Sequence, residues 1–306
     1  MRILVTGGAG FIGSNIVDAL LADGHEVAVL DDLSTGKQTN VALNVKLYRA
    51  DIRDNDALTN IFNDFKPEII SHQAAKADVR ESLQRPQLYA EVNIIGSLNL
   101  LEHARRVGTQ KIIYAGTGGA TYGEPQYLPV KEDHPVNPLD PYGASKHHVE
   151  HYLFLYNYNY GLKYTVLRYP NVYGPRQNPF GEAGVIAIFT YKMLNGETPT
   201  INGKGDKQRD FCFVGDVARA NVLSLTNGDN QIYNIGSGVG TDINTIYEKL
   251  QRATGFTKPA NYAPDKPGEV YRIYLDATKA GRELGWEANV GLEEGLQLTV
   301  ESLRAR

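Results

Sequence analysis

The sequence predicts an α/β fold, in which a doubly wound parallel sheet is joined to a second, smaller domain of mixed α/β structure. Three observations support this prediction. Short apolar runs alternate with helical patterns over the first half of the chain, the first run ends in a glycine-rich turn, and the alternation weakens after Arg168. Alternating strands and helices favour a parallel sheet that is covered on both faces and has right-handed crossovers.

The alternating segments define the elements in chain order. The strand-like runs are Ile3–Val5, Val27–Leu30, Val45–Tyr48, Glu68–His72, Lys111–Ala115, Lys163–Arg168 and Gln231–Ile235. The clearest helical patterns are Ala57–Phe65, Ile94–Val107, Ser145–Tyr158 and Val185–Asn195. We therefore assign residues 1–170, with a return segment at about 210–238, to the sheet domain, and residues 171–209 and 239–306 to the smaller domain. The ligand is expected beyond the carboxyl ends of the strands, in the cleft between the two parts.

Length and composition narrow the class of protein. A chain of 306 residues suggests two domains, and its net charge of −4 disfavours a nucleic-acid partner, since phosphate backbones attract basic surfaces. No apolar run approaches the ~20 residues of a membrane span, and the chain enters a strand at once, without room for a signal peptide. A single cysteine, Cys212, fits a reducing compartment. We therefore expect a cytoplasmic protein with no membrane partner.

The turn after the first strand has the spacing of a dinucleotide-binding fingerprint. Gly7 permits the tight turn, Gly10 lets a pyrophosphate approach the backbone, and Gly13 lets the following helix pack close to the sheet. The start of that helix directs backbone N–H groups and the positive end of the helix dipole toward the phosphates. Asp31 ends the second strand 18 residues after Gly13, where a carboxylate accepts hydrogen bonds from the adenosine ribose and repels a 2′-phosphate. The motif predicts a Rossmann-type domain that binds NAD rather than NADP.

A tyrosine and a lysine at helical spacing form the candidate catalytic pair. Tyr142 and Lys146 are four residues apart in a segment that follows two prolines and opens a helix, so both lie on one face. A nearby ammonium favours a phenolate and lowers the pKa of a tyrosine from its reference of about 10. Such a tyrosine takes a proton from a sugar hydroxyl near neutral pH. A surface tyrosine and a solvated lysine can have the same spacing, but the position after a dinucleotide fingerprint favours catalysis.

A hydroxyl at the end of the fifth strand is the third candidate. The run Lys111–Ala115 continues into Gly116, Thr117, Gly118 and Gly119. The Thr117 hydroxyl can hydrogen-bond the reacting oxygen and help to move its proton. A turn threonine in a flexible glycine loop would have the same sequence pattern.

Taken together, these motifs resemble the extended short-chain dehydrogenase/reductase family over essentially the whole chain. The segments that carry the resemblance are Thr6–Gly13, Asp51-Ile52, His72–Ala75, Asn93, Tyr142–Lys146, Arg168–Arg176 and Arg209–Phe211. Two further segments, Asp31–Gly36 and Gly181–Phe189, resemble those members of the family that act on UDP-hexoses.

The resemblance implies a cofactor, a substrate and a reaction. The cofactor is NAD, the substrate is a UDP-sugar, and the reaction inverts C4 of the hexose through a transient 4-keto intermediate. Ile273 lies at the position that gates the sugar 2-substituent, where a bulkier tyrosine tends to exclude N-acetyl groups, so N-acetylated UDP-hexosamines are also expected as substrates. The helices at 94–107 and 145–158 are expected to pair across the two-fold axis of a homodimer.

The resemblance also implies roles for individual residues. Lys146 holds the nicotinamide ribose and polarises Tyr142, and Arg209 can clamp a diphosphate with two hydrogen bonds. The residues implied to contact the cofactor are Gly7, Gly10, Phe11, Ile12, Gly13, Asp31, Asp32, Ser34, Thr35, Gly36, Asp51, Ile52, Gln73, Ala74, Ala75, Asn93, Tyr142, Lys146, Tyr169 and Pro170. The residues implied to contact the substrate are Thr117, Tyr142, Asn171, Gly184, Val185, Thr200, Arg209, Lys266 and Glu269.

The chain departs from the family pattern at one catalytic position. Gly118 occupies the slot where many relatives carry serine or threonine, so Thr117, one residue earlier, is the candidate hydroxyl. Two other functions remain open. One is another nucleotide-sugar enzyme of the family, a 4,6-dehydratase or a UDP-glucuronate decarboxylase, and the other is a non-catalytic NAD-binding sensor.

Sequence features weigh against both alternatives, and against a metal site. Dehydratases need an added Asp-Glu pair after the threonine, where this chain has Gly118 and Gly119. Sensors often lose the tyrosine or the lysine, and both are present here. His147 and His151 share a helix face, but they have no evident third ligand, so we expect no metal.

Overall fold

The computed structural model describes residues 1–180, 184–265 and 270–305. In chain order the strands are β1 (Arg2–Thr6), β2 (Glu26–Asp31), β3 (Lys46–Arg49), β4 (Ile69–His72), β5 (Lys111–Thr117), β6 (Lys163–Tyr169), β7 (Asn171–Tyr173), β8 (Thr200–Asn202), β9 (Gln208–Arg209), β10 (Phe211–Phe213), β11 (Gln231–Asn234), β12 (Thr241–Asp242), β13 (Asn261–Ala263) and β14 (Arg272–Ile273). The helices are α1 (Phe11–Ala22), α2 (Asn55–Phe65), α3 (Val79–Gln84), α4 (Pro86–Tyr89), α5 (Gly96–Val107), α6 (Pro141–Tyr160), α7 (Val185–Leu194), α8 (Val214–Leu223), α9 (Ile243–Thr254), α10 (Thr278–Leu284) and α11 (Leu292–Arg304).

A seven-stranded sheet forms the centre of the molecule. Its strand order is β3-β2-β1-β4-β5-β6-β11, and every neighbouring pair is parallel. This order confirms the predicted doubly wound sheet of Rossmann type. The strand order reverses between β1 and β4, and ligands bind at such switch points, beyond the carboxyl ends of the strands. At that end, the register sets Thr6 beside His72 and Thr117 beside Tyr169.

Helices cover both faces of the sheet and bury its apolar side chains. On one face, α1 and α8 pack together around Ile16 and Val217. On the other face, α2, α5 and α6 pack around Leu58, Leu100 and Val149. Strands covered on both faces have nearly continuous apolar sequences, which is why the sequence pattern located them.

The smaller domain has a core of its own. The helices α7, α9 and α11 enclose Phe189, Tyr247, Leu250 and Val300. Two short sheets accompany them, one of β8 and β13 and one of β12, β9 and β14. This mixed α/β structure agrees with the predicted second domain. No helix in the described parts of the chain is long and apolar enough to cross a membrane.

One helix begins well before the residue that the pattern predicts. α6 starts at Pro141 rather than Ser145, because the Asp140 side chain caps it by accepting from a first-turn backbone N–H at 2.7 Å. The helix predicted from Ile94 also begins earlier, because a π-helical segment, Ala90–Ile95, joins α4 to α5 without a break. The other predicted boundaries lie within two residues of the observed ones. The earlier start places Tyr142 in the first turn of α6.

Candidate active site

The glycine turn after β1 forms an open cradle at the start of α1. Gly7 has a φ of +67°, and a Cβ there would lie 2.7 Å from the backbone nitrogen of Ala74. A Cβ on Gly13 would lie 2.2 Å from the carbonyl oxygen of Gly7, so Gly13 allows close packing against the turn itself rather than against the sheet. Among the described residues, a Cβ on Gly10 would meet that same carbonyl alone, at 3.1 Å. Gly10 caps α1 without a side-chain hydrogen bond, which leaves the first N–H groups of the helix open to a ligand.

The carboxylate of Asp31, at the end of β2, faces the same turn. Its Oδ2 accepts from the backbone N–H of Ala9 at 2.9 Å, and its Oδ1 accepts from that of Leu33 at 2.8 Å. Burial raises the pKa of Asp31, and these two hydrogen bonds oppose the rise. A Cβ on Gly36 would lie 2.9 Å from Oδ1, so the glycine lets the loop after β2 close against the carboxylate. Each oxygen keeps a lone pair for a ribose hydroxyl.

Asp51 and Ile52 follow β3 at the same end of the sheet. Asp51 accepts from Nη2 of Arg53 at 2.7 Å, and the hydrogen bonds from this guanidinium lower the pKa of Asp51. Ile52 is buried beneath the start of α5, where Gly96 leaves room for it. The remaining predicted cofactor residues lie in loops or at element starts: Phe11 and Ile12 begin α1, Asp32, Ser34 and Thr35 follow β2, Gln73 and Ala75 follow β4, and Pro170 separates β6 from β7.

An asparagine joins the loop after β4 to the candidate catalytic helix. Oδ1 of Asn93 accepts from the backbone N–H of Lys76 at 2.8 Å, and Nδ2 donates to the Lys76 carbonyl at 3.0 Å and to Oγ of Ser145 at 2.9 Å. Ser145 in turn donates to the carbonyl oxygen of Tyr142 at 2.8 Å. Both polar atoms of the Asn93 side chain therefore form hydrogen bonds within the protein, and the residue holds the loop after β4 against the start of α6.

A neutral histidine lies behind this loop. Nδ1 of His72 is 2.7 Å from the Thr6 hydroxyl, and Nε2 is 2.8 Å from the hydroxyl of Ser97. Burial, with a smaller contribution from the charge of Lys146, lowers the pKa of His72 to about 3. The imidazole is therefore uncharged at neutral pH and adds no second cation beside the lysine.

The Lys146 ammonium is buried against β5. It lies 4.3 Å from the ring centroid of Tyr114, whose hydroxyl donates to the Lys146 carbonyl oxygen at 3.3 Å. Burial lowers the pKa of Lys146 to about 7, although the charge of Glu150 opposes this. The amine is therefore near its titration midpoint at neutral pH, so neighbouring charges decide whether it carries a proton. Tyr142 lies one helical turn earlier and is half-buried.

Thr117 ends β5 beside the loop that receives α6. Its hydroxyl accepts from the backbone N–H of Ala120 at 3.3 Å, and a Cβ on Gly143 would lie 2.7 Å from the Ala120 carbonyl oxygen. The start of α6 therefore packs directly on this loop. At Gly118 a Cβ would lie 2.4 Å from Cδ1 of Leu275, which is fully buried. A serine or threonine does not fit at 118 while Leu275 is in place, which leaves Thr117 as the candidate hydroxyl.

One predicted substrate residue, Asn171, lies close to this loop, and a second, Arg209, lies on a neighbouring strand. Oδ1 of Asn171 lies 3.9 Å from the point where a Cβ of Gly119 would be. The backbone N–H of Asn171 donates to the carbonyl oxygen of Asp210 at 3.1 Å. Arg209 precedes Asp210 and pairs across β9 and β14 with Ile273. The cleft thus brings Asn171 to the Thr117 loop, with Arg209 and Ile273 on the adjoining strands.

The other predicted substrate residues lie farther along the chain. Gly184 caps α7, Val185 begins it, and a Cβ on Gly184 would lie 2.8 Å from Nε2 of Gln177. Thr200 is exposed at the start of β8, and the contacts of the described residues do not link it to the catalytic loop. Lys266 and Glu269 lie outside the described residues.

Sequence reasoning missed three buried residues around the lysine. They are Tyr114, Glu150 and Arg168. Glu150 follows Lys146 by four residues, as Lys146 follows Tyr142, so the helical spacing could have indicated it. Sequence spacing does not predict that Arg168 or Tyr114 packs against this helix, because each lies on a strand.

The residues around the glycine turn fit a dinucleotide. An uncapped helix start presents N–H groups to a pyrophosphate, Gly10 has no Cβ to obstruct it, and Asp31 holds a carboxylate at the end of the neighbouring strand. Tyr142 and Lys146 lie on α6, which Asn93 joins to the loop after β4. The fold and this site define a nucleotide-dependent enzyme of the extended short-chain dehydrogenase/reductase class.

Comparisons with known proteins agree with this class. The sequence model of the NAD-dependent epimerase/dehydratase family matches residues 3–236. A UDP-glucose 4-epimerase of Mycolicibacterium smegmatis is 44% identical in an alignment of 310 positions, which covers 99% of this chain and 99% of that protein. The crystal structure of UDP-glucose 4-epimerase from Thermotoga maritima with UDP-glucose has a TM-score of 0.98 and 49% identity, covering 100% of this chain and 99% of that one. The structure of the Thermus thermophilus UDP-glucose 4-epimerase with NAD has a TM-score of 0.94 and 47% identity, covering 99% of each chain.

The chain therefore belongs to the NAD-dependent epimerase/dehydratase family. This confirms the resemblance drawn from the motifs, and NAD is the cofactor of that family.

Proposed function

We propose that this enzyme catalyses the NAD-dependent epimerisation of a UDP-hexose at C4. The observation that carries the proposal is the buried Lys146, which lies one helical turn after Tyr142 on α6. Asn93 joins this helix to the loop after β4 through hydrogen bonds to Ser145 and Lys76. Full-length similarity to UDP-glucose 4-epimerases supports the substrate class.

The mechanism assigns proton transfer to Tyr142. Its phenolate removes the proton of the sugar 4-hydroxyl, and the Lys146 ammonium stabilises that phenolate electrostatically. NAD bound at the glycine turn would supply the acceptor and the donor of the C4 hydride. Tyr142 then gives the proton back to the new alkoxide. Residues of the smaller domain hold the nucleotide, which leaves the hexose free to turn about its link to the diphosphate.

The Thr117→Val variant tests the hydroxyl at the end of β5. The Thr117 hydroxyl accepts from Ala120, so its own hydrogen remains available to the sugar oxygen. We expect kcat to fall roughly 10- to 100-fold, because the variant loses one hydrogen bond to the reacting oxygen while the side-chain volume is nearly unchanged. Steady-state kinetics with UDP-galactose measure it. A kcat within about threefold of wild type, less than ~0.7 kcal/mol of barrier, would rule out the assigned role.

The smaller domain is proposed to bind the UDP part of the substrate. Arg209 offers a guanidinium for the diphosphate, and Asn171 lies against the Thr117 loop, where the sugar must reach. Gly184, Val185 and Thr200 are proposed to contact the uridine. Residues 171–209 and 239–306 form this domain in the proposed division, and the segment at 210–238 returns to the sheet.

N-acetylated substrates extend the proposal. Ile273 packs with Tyr122, Val130 and Leu275 and pairs with Arg209 across two strands. We expect turnover of UDP-N-acetylglucosamine by the wild type. We expect the Ile273→Tyr variant to lose roughly 10- to 200-fold more kcat/KM for this substrate than for UDP-glucose, since the larger side chain fills the space of the acetamide. A wild type that converts UDP-glucose well but not UDP-N-acetylglucosamine refutes this extension.

One assay separates epimerisation from the alternatives. Purified protein is mixed with UDP-galactose and no added NAD, and the product is analysed by NMR. UDP-glucose is the expected product. A 4-keto-6-deoxy sugar would indicate a dehydratase, although Gly118 and Gly119 stand where that reaction needs carboxylates. Bound NAD without turnover would indicate a sensor, and either result would overturn the proposal.

The proposed enzyme is a homodimer that pairs through α5 and α6. The outer surface of α6 exposes Phe154 and Tyr158, which are 46% and 78% accessible, and Ile95, which directly precedes α5, is 51% accessible. The Tyr156 hydroxyl donates to Glu102 at 2.5 Å and holds the two helices together. Such an apolar surface on paired helices suits a two-fold interface, and sedimentation analysis tests it.

A cytoplasmic location completes the proposal. Its support is Cys212, which is buried and forms no disulfide. Free cysteines are typical of proteins in a reducing compartment. Burial raises the pKa of this thiol well above its usual value, so it is unreactive.

A further inference from the structure

A buried ion pair lies beneath the candidate catalytic helix. Nε of Arg168, on β6, donates to Oε1 of Glu150 at 3.0 Å, and Nη2 donates to Oε2 at 2.6 Å. Both side chains are only 3% accessible. This is the two-pronged geometry that makes guanidinium–carboxylate pairs strong and directional.

The surroundings are built to accept this pair. Gly116 on β5 lies directly over it: a Cβ there would be 3.0 Å from Cγ of Arg168 and 3.1 Å from Oε1 of Glu150. The remaining polar groups have partners as well. Nη1 of Arg168 donates to the Tyr122 hydroxyl at 2.8 Å, and Nδ1 of His147 donates to Oε2 of Glu150 at 3.2 Å.

The pair shares its surroundings with Lys146. Glu150 follows Lys146 by one turn on the same buried face of α6. The titratable and charged groups that face the ammonium are Tyr142 and Glu150 from α6, Tyr114 from β5, His72 from β4 and, through Glu150, Arg168 from β6. His72 is neutral and the ring of Tyr114 is uncharged, so Glu150 is the anion among them.

Electrostatics at the pair keep Glu150 ionised. Burial by itself would raise the pKa of Glu150, but the hydrogen bonds from His147 and Arg168 lower it below its usual value. Hydrogen-bonded pairs of this kind gain little net stability over apolar side chains, because desolvation offsets the attraction. Stability alone therefore gives no reason for an ion pair at this position.

We propose that Glu150 and Arg168 are positioning residues that keep a fixed anion one turn from Lys146, and so hold the Lys146 ammonium in its charged form beside Tyr142. Arg168 orients the carboxylate and keeps it ionised, and Gly116 leaves the space for both. The inference rests on the proposed function, since it assigns the pair to the Tyr142–Lys146 site.

The test measures the protonation of Lys146 directly, without substrate. The holoenzyme is labelled with ¹³Cε-lysine, the Lys146 signal is assigned by its absence in Lys146→Met, and its shift is followed with pH. Glu150→Gln is expected to lower the Lys146 pKa by about one pH unit or more, because the anion is lost while the Arg168 cation stays. Arg168→Met is expected to lower it as well, because the buried Glu150 carboxylate loses the hydrogen bonds that keep it ionised. Arg168→Lys, which keeps the charge, should stay close to wild type.

The conservative variant distinguishes positioning from architecture. Arg168→Met and Arg168→Lys both remove the two-pronged contact, but only Arg168→Met removes the charge. A Lys146 pKa that stays at the wild-type value in Glu150→Gln or in Arg168→Met, or that falls equally in Arg168→Lys, would overturn the proposal. A lone buried charge can prevent folding, so the double variant Glu150→Gln with Arg168→Met, which keeps neither charge, is measured as well. Its Lys146 pKa should fall below wild type, since the anion that acts on Lys146 is lost, and an unchanged value would also overturn the proposal.

Kinetics separate this inference from the proposed function. In wild type, kcat with UDP-galactose should decline on the alkaline side as Lys146 loses its proton, and in Glu150→Gln that decline should begin at lower pH. A wild type that does not convert UDP-galactose would refute the proposed function, while the lysine titration still decides the role of the pair. Normal wild-type turnover with an unshifted profile in Glu150→Gln would refute the pair alone.

Discussion

Replacing Tyr142 with phenylalanine should reduce kcat by roughly 10²- to 10⁴-fold, the range that a positioned general acid–base group contributes. The ring stays in the first turn of α6, and the hydrogen bond from Ser145 to the carbonyl oxygen of residue 142 is unaffected because it involves the backbone. The amount of NAD that co-purifies should therefore match wild type. Turnover of UDP-galactose and the NAD content of denatured protein are the two measurements.

A matched control comes from the same helix. Tyr152→Phe removes a hydroxyl from a half-buried tyrosine of α6 that packs on the sheet core. This variant should keep both turnover and bound NAD. Wild-type kcat in Tyr142→Phe, or equal losses in both variants, would contradict the proton-transfer role.

The Gly13→Ala variant should lose NAD altogether. The added Cβ would lie 2.2 Å from the carbonyl oxygen of Gly7, and backbone cannot move aside as the end of a flexible side chain can. The start of α1 must then shift away from the turn, which spoils the cradle and costs roughly 1–3 kcal/mol of unfolding free energy. We expect purified protein without bound NAD, a lower melting temperature and no turnover.

Gly291→Ala serves as the control for adding a methyl group. Gly291 precedes the helix α11, and among the described residues no atom lies within 4 Å of the position of its Cβ. Its unfolding free energy should stay within about 0.5 kcal/mol of wild type. Normal NAD content in Gly13→Ala would show that the turn tolerates a side chain and that the cradle is wrongly placed.

The sheet and the glycine turn could be predicted because their signals are local. Strands covered on both faces are continuous apolar runs, and the spacing from Gly7 to Gly13 reports a turn whose geometry excludes side chains. The Tyr142–Lys146 pair was recognisable for the same reason, since four residues make one helical turn.

The rest depended on contacts between distant segments. Nothing near Gly118 in the sequence indicates that Leu275 fills the space beside it, although this contact favours Thr117 over residue 118 as the candidate hydroxyl. Glu150 and Arg168 likewise come from a helix and a strand whose spacing says nothing of their pairing. The roles of the individual substrate residues stay predictions, since they depend on how the two domains enclose a ligand.

The late arrival of β11 has a consequence for biosynthesis. β11 pairs with β6 at the edge of the sheet, but 61 residues separate the end of β6 from the start of β11. At about 5–20 residues per second, a ribosome needs roughly 3 to 12 seconds to make that interval. Throughout it, β6 has an unpaired edge of backbone N–H and C=O groups on the nascent chain, which invites association with other strands. Chaperone dependence during translation should therefore be greatest while this interval is being synthesised.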